Sequence, residues 1–294
     1  MVTDLVAIVL AGLSYGMILV LAAAGLSLIF GLMGILNFAH GALFALGAYI
    51  GLSVMKAAGG GISGFLTALI VAPITVAILG FVLERTVYKP LYETDTLYQL
   101  LLTFGIAVVI EEAIQIIWGS SSPSVPPQPA IFNGQLAFAS ATVPYYRAFI
   151  IIVGIVVIAS LSGFLKYTRY GLIVRAGVYD SEKTNVLGLN VDRAFTLVFG
   201  IGAAIAAVGG VIYIYRSVSP GLGSSIILQA FIVVIIGGLG SFKGTVYAGL
   251  LIGVIWQFAA QYAPIPSGTV IFLVMLAVLI ARPQGLLGEA EVEV

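Results

Sequence analysis

The chain has 294 residues, 61% hydrophobic and 8% charged, with zero formal net charge and a mean hydropathy of +1.18. A soluble globular chain carries about 25% charged residues, so water-soluble enzymes are excluded and the chain reads as an integral membrane protein. Cysteine is absent, which removes disulfides, thiol catalysis and cysteine-ligated metals, and the balanced charge implies no nucleic-acid partner.

Lipid leaves two spanning architectures, helices and closed barrels, because every backbone polar group must pair internally. Barrel strands alternate apolar and polar residues. Stretches such as AFIIIVGIVVIASLSGFL (148–165) are apolar at consecutive positions, which selects helices.

Charges punctuate the chain. Residues 5–55 hold no Asp, Glu, Lys or Arg, which is room for two spans or more, with Gly25, Gly31 and Gly34 as places to break. The N-terminus carries Asp4 and no basic residue before this run, so the run is expected to stay as a membrane element rather than a cleaved signal. Further spans are expected near 62–83 and 96–118, the second containing Glu111 and Glu112. The Ser- and Pro-rich stretch 119–147 is a surface loop through which no helix can run. Spans follow at 148–165 and 194–215, the run 217–242 opens on the loop SPGLGSS, and APIPSG (263–268) cuts 244–281 in two. The expected fold is an all-α polytopic transmembrane bundle of about eight or nine segments, some broken or re-entrant.

Lys and Arg collect in 84–95 and 166–193, whereas the Ser/Pro loop has only Arg147 at its end. The positive-inside rule then puts both basic loops in the cytoplasm and 119–147 outside. The side of the N-terminus depends on whether 5–36 crosses once or twice.

HGALFALGAYIG (40–51) and KGTVYAGLLIG (243–253) resemble each other, each following a glycine-broken apolar stretch. The pair admits two readings: the internal repeat of a transporter, or the general likeness of glycine-rich helix contacts.

No catalytic constellation is present. There is one histidine, and no GxSxG, HExxH or phosphate-binding GxxxxGK[ST] motif, so any ATP hydrolysis must belong to another chain. No cofactor or metal is implied. The histidine, His40, follows Asn37 by three residues, which puts both on one face if the segment is helical. They bridge helices at a glycine kink or line a substrate path, and these roles overlap, since broken helix at membrane depth survives only in protein or beside a cavity. Glu111 and Glu112 point about 100° apart. Either one snorkels or pairs with a base such as Arg147, or one lines the path or relays protons. In the cytoplasmic stretch 170–195, Asp180 and Glu182 suit a helix start, Val178, Val186 and Leu189 offer an apolar stripe, and Gly188 can end the helix. This looks like a docking element, the alternative being an ordinary solvated loop.

Five pieces in order resemble the LivH-type permeases of branched-chain amino acid ABC transporters: GLSLIFGLMGILNFAHGALFALGAYI, LLTFGIAVVIEEAIQIIWG, RAGVYDSEKTNVLGLNVDRAFTLVFGIGAAIAAVGGV, GGLGSFKGTVYAGLLIG and RPQGLLG. The resemblance implies a multi-pass permease of the cell membrane, one transmembrane domain over residues 1–294, without its own ATPase site. It implies a second related permease subunit, two cytoplasmic ATPases and an extracytoplasmic substrate-binding protein as partners. It marks Glu112 as the family-like acid, and Glu182 and Gly188 as coupling residues in a loop of about 170–193, where Asp180 at the helix start joins them. Lys183 and Thr184 stand where the docking pattern of such importers has two alanines. Branched-chain or other aliphatic amino acids are the substrates it implies, with urea, short amides and other amino acids as alternatives in the same importer type. An ion-coupled secondary transporter using Glu111 or Glu112, or a passive channel, would be a different class.

Overall fold

A computed structural model of the chain describes residues 2–288 except 93, 139, 140, 180 and 264. Its helices are α1 (Val2–Met33), α2 (Ala39–Ala57), α3 (Gly61–Leu83), α4 (Thr96–Trp118), α5 (Tyr145–Tyr167), α6 (Arg169–Tyr179), α7 (Ser181–Val186), α8 (Val191–Tyr213), α9 (Leu222–Gly237), α10 (Phe242–Tyr262) and α11 (Ser267–Ala281). Seven are long and apolar enough to cross a membrane, and α9 and α11 are shorter apolar helices. The expected bundle is thus observed, with the break inside 5–55 at Gly34, whose φ is +67°. Residues 5–33 form one helix, so this stretch crosses once. By helix alternation the start of α1 lies on the side of 119–147, opposite the basic loops 84–95 and 166–193.

The 119–147 loop is not devoid of structure. A 3-10 turn at Ala130–Phe132 precedes the antiparallel hairpin β1 (Gln135–Phe138) and β2 (Ala141–Pro144), and Phe132 and Val143 are buried. Composition alone missed this, because hairpin pairing depends on register across residues that look like any polar loop.

The core is built from α1, α2 and α8, whose buried faces are crowded with Ala and Gly. Lipid tails are as apolar as leucine, so such helices associate through close packing rather than escape from water. Gly16 of α1 and Gly253 of α10 show how close: a Cβ on Gly253 would lie 2.3 Å from the Gly16 backbone. Between α2 and α8, a Cβ on Gly47 would lie 2.4 Å from the Cα of Ala207. Any larger residue pushes these backbones apart.

The two look-alike segments occupy α2 and α10, and each helix starts just after a glycine break, at Gly34 and at Gly238 and Gly240. Helix α3 runs on through a π-helical turn, Glu84–Tyr88, into a 3-10 turn, Lys89–Leu91. That unusual turn positions the residues described next.

Candidate functional site

Asn37 lies in the non-helical link before α2. Its Oδ1 accepts from the Ala39 backbone N–H at 3.1 Å and from the Tyr88 hydroxyl at 2.9 Å. One side chain therefore satisfies an orphan donor at the helix start and ties the break to the π-helical turn. Thr103 of α4 donates to the Leu36 carbonyl at 3.1 Å, so a third element holds the same link. Asn37 is fully buried, and its Nδ2 has no partner among the described residues.

His40 sits in the first turn of α2 and is 1% exposed. It does not share a helical face with Asn37, because Asn37 is outside the helix. The ring packs where α1 and α8 cross: a Cβ on Gly25 would meet its Cε1 at 2.7 Å and the Gly202 carbonyl at 2.6 Å. Its nitrogens make no hydrogen bond of ordinary geometry among the described residues, and the Ala22 carbonyl is its polar neighbour. No nucleophile or metal-ligating cluster accompanies it among those residues.

Beside this break lies a group that sequence reasoning passed over. Glu84 is fully buried, and its Oε1 accepts from the Tyr92 hydroxyl. Burial first, and the Glu84 carboxyl second, push the Tyr92 phenol up, so it stays protonated and donates. Glu84 had looked like punctuation at the edge of a basic loop; only the π-helical continuation of α3 turns it inward. Nearby, Lys89 and Asp192 pair at 2.6 Å, an exposed link between the two basic loops. Such pairs contribute about 0–1 kcal/mol.

The adjacent acids part company. Glu111 reaches α9, accepting from Ser224 N–H at 2.8 Å and from the Ser224 hydroxyl at 2.8 and 3.0 Å. Its partner is a helix start, not Arg147, and a carboxylate there complements the positive end of the helix dipole. Glu112 is exposed on α4. The start of α9 is also pressed onto α2, for a Cβ on Gly41 would lie 2.4 Å from the Gly223 carbonyl oxygen. A 16-residue helix covers about 24 Å, less than the hydrocarbon core. Its start is therefore sunk below the membrane surface, where Glu111 meets it two turns before the end of α4.

In the basic loop 166–193 the short helix expected to start near Asp180 and Glu182 and end at Gly188 is α7, and a further helix, α6, precedes it. Asp180, between them, lies outside the described residues. Glu182 is in α7. Gly188 has a φ of +79°, and the bonds Leu189 N–H to Thr184 O (3.3 Å) and Gly188 N–H to Asn185 O (2.9 Å) close the helix in a Schellman motif. Val186 and Leu187, just before it, are 83% and 78% exposed.

Comparison with known proteins shows the family to which a chain with this broken, multi-helix architecture belongs. A family profile described as "Branched-chain amino acid transport system / permease component" matches residues 8–280. The branched-chain amino acid permease LivH of Salmonella typhimurium is 31% identical over 96% of this chain and 95% of its own length. BraD of Pseudomonas aeruginosa is likewise 31% identical over 96% and 95%. LivM of Escherichia coli, another permease of such a system, is 27% identical over 92% of this chain and 68% of its own. In fold, the chain is similar to a chain of PsaBC from Streptococcus pneumoniae in complex with Fab, with a TM-score of 0.51, 12% identity and 96% and 95% coverage. The chain is an integral membrane protein that belongs to the permease family of branched-chain amino acid transport systems.

Proposed function

We propose that this chain, over residues 1–294, is one membrane-spanning subunit of an ATP-driven importer of branched-chain, aliphatic amino acids. A second related permease completes the translocation unit, two separate cytoplasmic ATPases drive it, and an extracytoplasmic protein delivers substrate to the side that carries 119–147. The observation that carries the reading is the near full-length likeness to LivH and BraD. The likeness to LivM, a second permease of the same kind of system, supports pairing of two related chains.

Coupling is assigned to the loop of about 170–193. Val186 and Leu187 are large apolar side chains held out from the protein, and an exposed apolar patch of this kind marks a protein contact. Gly188 fixes the end of α7 and so the direction in which that patch points. Asp180 and Glu182 belong to the same loop in sequence and are assigned to coupling with the ATPase. Nucleotide-dependent closure of the ATPases then moves α6 and α7 as a lever, and the broken helix starts at Asn37 and Ser241 give the bundle places to bend. The ligand has to prefer one state of the bundle over the other for this to drive transport. Asn37, His40 and Glu112 are assigned to the pathway and its hinge: the first two hold the break, and the third faces out from α4 toward the second permease.

The test is reconstitution with the partners, followed by ATPase assays over a panel of leucine, isoleucine, valine, other amino acids, urea and short amides. Stimulation by the branched-chain amino acids above the rest is the expected result. Stimulation by urea or amides alone would move the chain to another substrate class.

A further inference from the structure

On the extracytoplasmic side a cavity of about 140 Å³ opens between α1, α5 and the loop after α8, with Ser14, Arg147, Tyr215, Arg216 and Gln257 around it and Ile150 in its apolar lining. Arg147 and Arg216 lie close enough for their charges to repel, and neither has an acidic partner among the described residues. The cavity lining contains no Asp or Glu. The Arg216 guanidinium carbon lies 4.3 Å from the Tyr15 ring centroid, a cation–π contact that leaves its N–H donors available to an acceptor. The buried Tyr215 hydroxyl lacks a hydrogen-bond partner among the same residues. Two cations and Gln257 thus line one cavity with no Asp or Glu beside them.

We propose that this cavity is an oxyanion site, filled by the phosphate of a membrane phospholipid. A guanidinium edge binds phosphate oxygens through two parallel N–H donors, and a second guanidinium beside it lets both oxyanion edges be held. Its depth selects the source. Arg147 is in the first turn of α5 and Arg216 follows the end of α8, so both stand where spanning helices leave the membrane, at the level of headgroups. The apolar lining at Ile150 continues toward the hydrocarbon, where the glycerol and first methylenes of a lipid would lie. Basic pockets between spanning helices bind lipid headgroups elsewhere by this chemistry. The bound phosphate would neutralise the Arg147–Arg216 repulsion and brace α5 against α8.

The experiment uses the full chain purified in detergent, with native mass spectrometry and thermal melts as readouts. The probes are phosphatidylglycerol, diacylglycerol, inorganic phosphate and leucine. The wild type is expected to retain phosphatidylglycerol but not diacylglycerol, and to melt higher with it. Arg147→Gln/Arg216→Gln should bind it at least about tenfold more weakly, through loss of charge-assisted hydrogen bonds. Arg147→Lys/Arg216→Lys, which keeps both charges, should retain part of the binding and shows that the pair itself folds. Arginine-dependent stabilisation by inorganic phosphate or leucine, without retained lipid, would keep the oxyanion site but overturn the lipid as its source. Equal retention of phosphatidylglycerol by wild type and the glutamine variant, with no effect of the soluble anions, would overturn the site.

Discussion

The Tyr88 hydroxyl donates to Asn37 Oδ1 at 2.9 Å, tying the π-helical end of α3 to the break between α1 and α2. Both partners are buried, so the bond is not exchanged for water in the folded bundle. Tyr88→Phe removes the donor and keeps the ring packed on Phe199. We expect a loss of about 1 kcal/mol of stability, read as a lower melting temperature of the assembled importer. Uptake rate should fall while the apparent substrate affinity holds, because the bond positions a hinge rather than a ligand.

His40→Ala should impair assembly or uptake more than it changes substrate preference. The ring fills the crossing of α1 and α8 beside Gly25 and Gly202, and emptying it leaves a cavity costing about 2 kcal/mol or more. Competition uptake across several amino acids is the check. An unchanged rate with a switched preference would place His40 at the substrate instead.

Glu111→Ala should loosen the start of α9, at a cost of about 1 kcal/mol, the usual value of a lost helix cap. Glu111→Gln keeps one acceptor oxygen for Ser224 and should lose less. Hydrogen exchange at Ser224 and Ser225 distinguishes the two: faster in the alanine variant, close to wild type in the glutamine variant.

Gly253→Leu should prevent α1 and α10 from closing. The added side chain would meet the Gly16 backbone, and overpacking of this kind costs about 1–3 kcal/mol or more. Gly268→Leu, where a Cβ meets nothing within 4 Å, is the control and should assemble normally. Membrane yield of folded chain after detergent extraction measures both.

Much of the fold was legible because charge is so scarce here that most Lys, Arg, Asp and Glu residues mark boundaries, Glu111 and Glu112 inside α4 being exceptions. Arg193 and Lys243 stand within two residues of the starts of α8 and α10. Gly34, Gly188 and the APIPSG stretch were readable as breaks for local reasons of backbone geometry. The site was less legible. Asn37 and His40 stood out as polar residues in hydrocarbon, yet nothing local told that Asn37 lies outside the helix and bonds Tyr88, 51 positions away. Glu111 and Glu112 were indistinguishable by type and position, and only the approach of α9 separates them. Glu84 was misleading in a different way, since its basic neighbours Arg85 and Lys89 made a buried carboxyl look like loop surface.

In the proposed function, ATP hydrolysed by other chains drives amino acid import through this one. Leucine uptake into proteoliposomes holding this chain, the second permease, the two ATPases and the binding protein measures it directly. Uptake should require ATP inside the coupled system, survive collapse of the proton gradient, and drop at least about tenfold in Glu182→Arg/Gly188→Pro, since proline cannot adopt the positive φ that ends α7. Gradient-driven uptake by this chain alone, or full coupling in the double variant, would contradict the account.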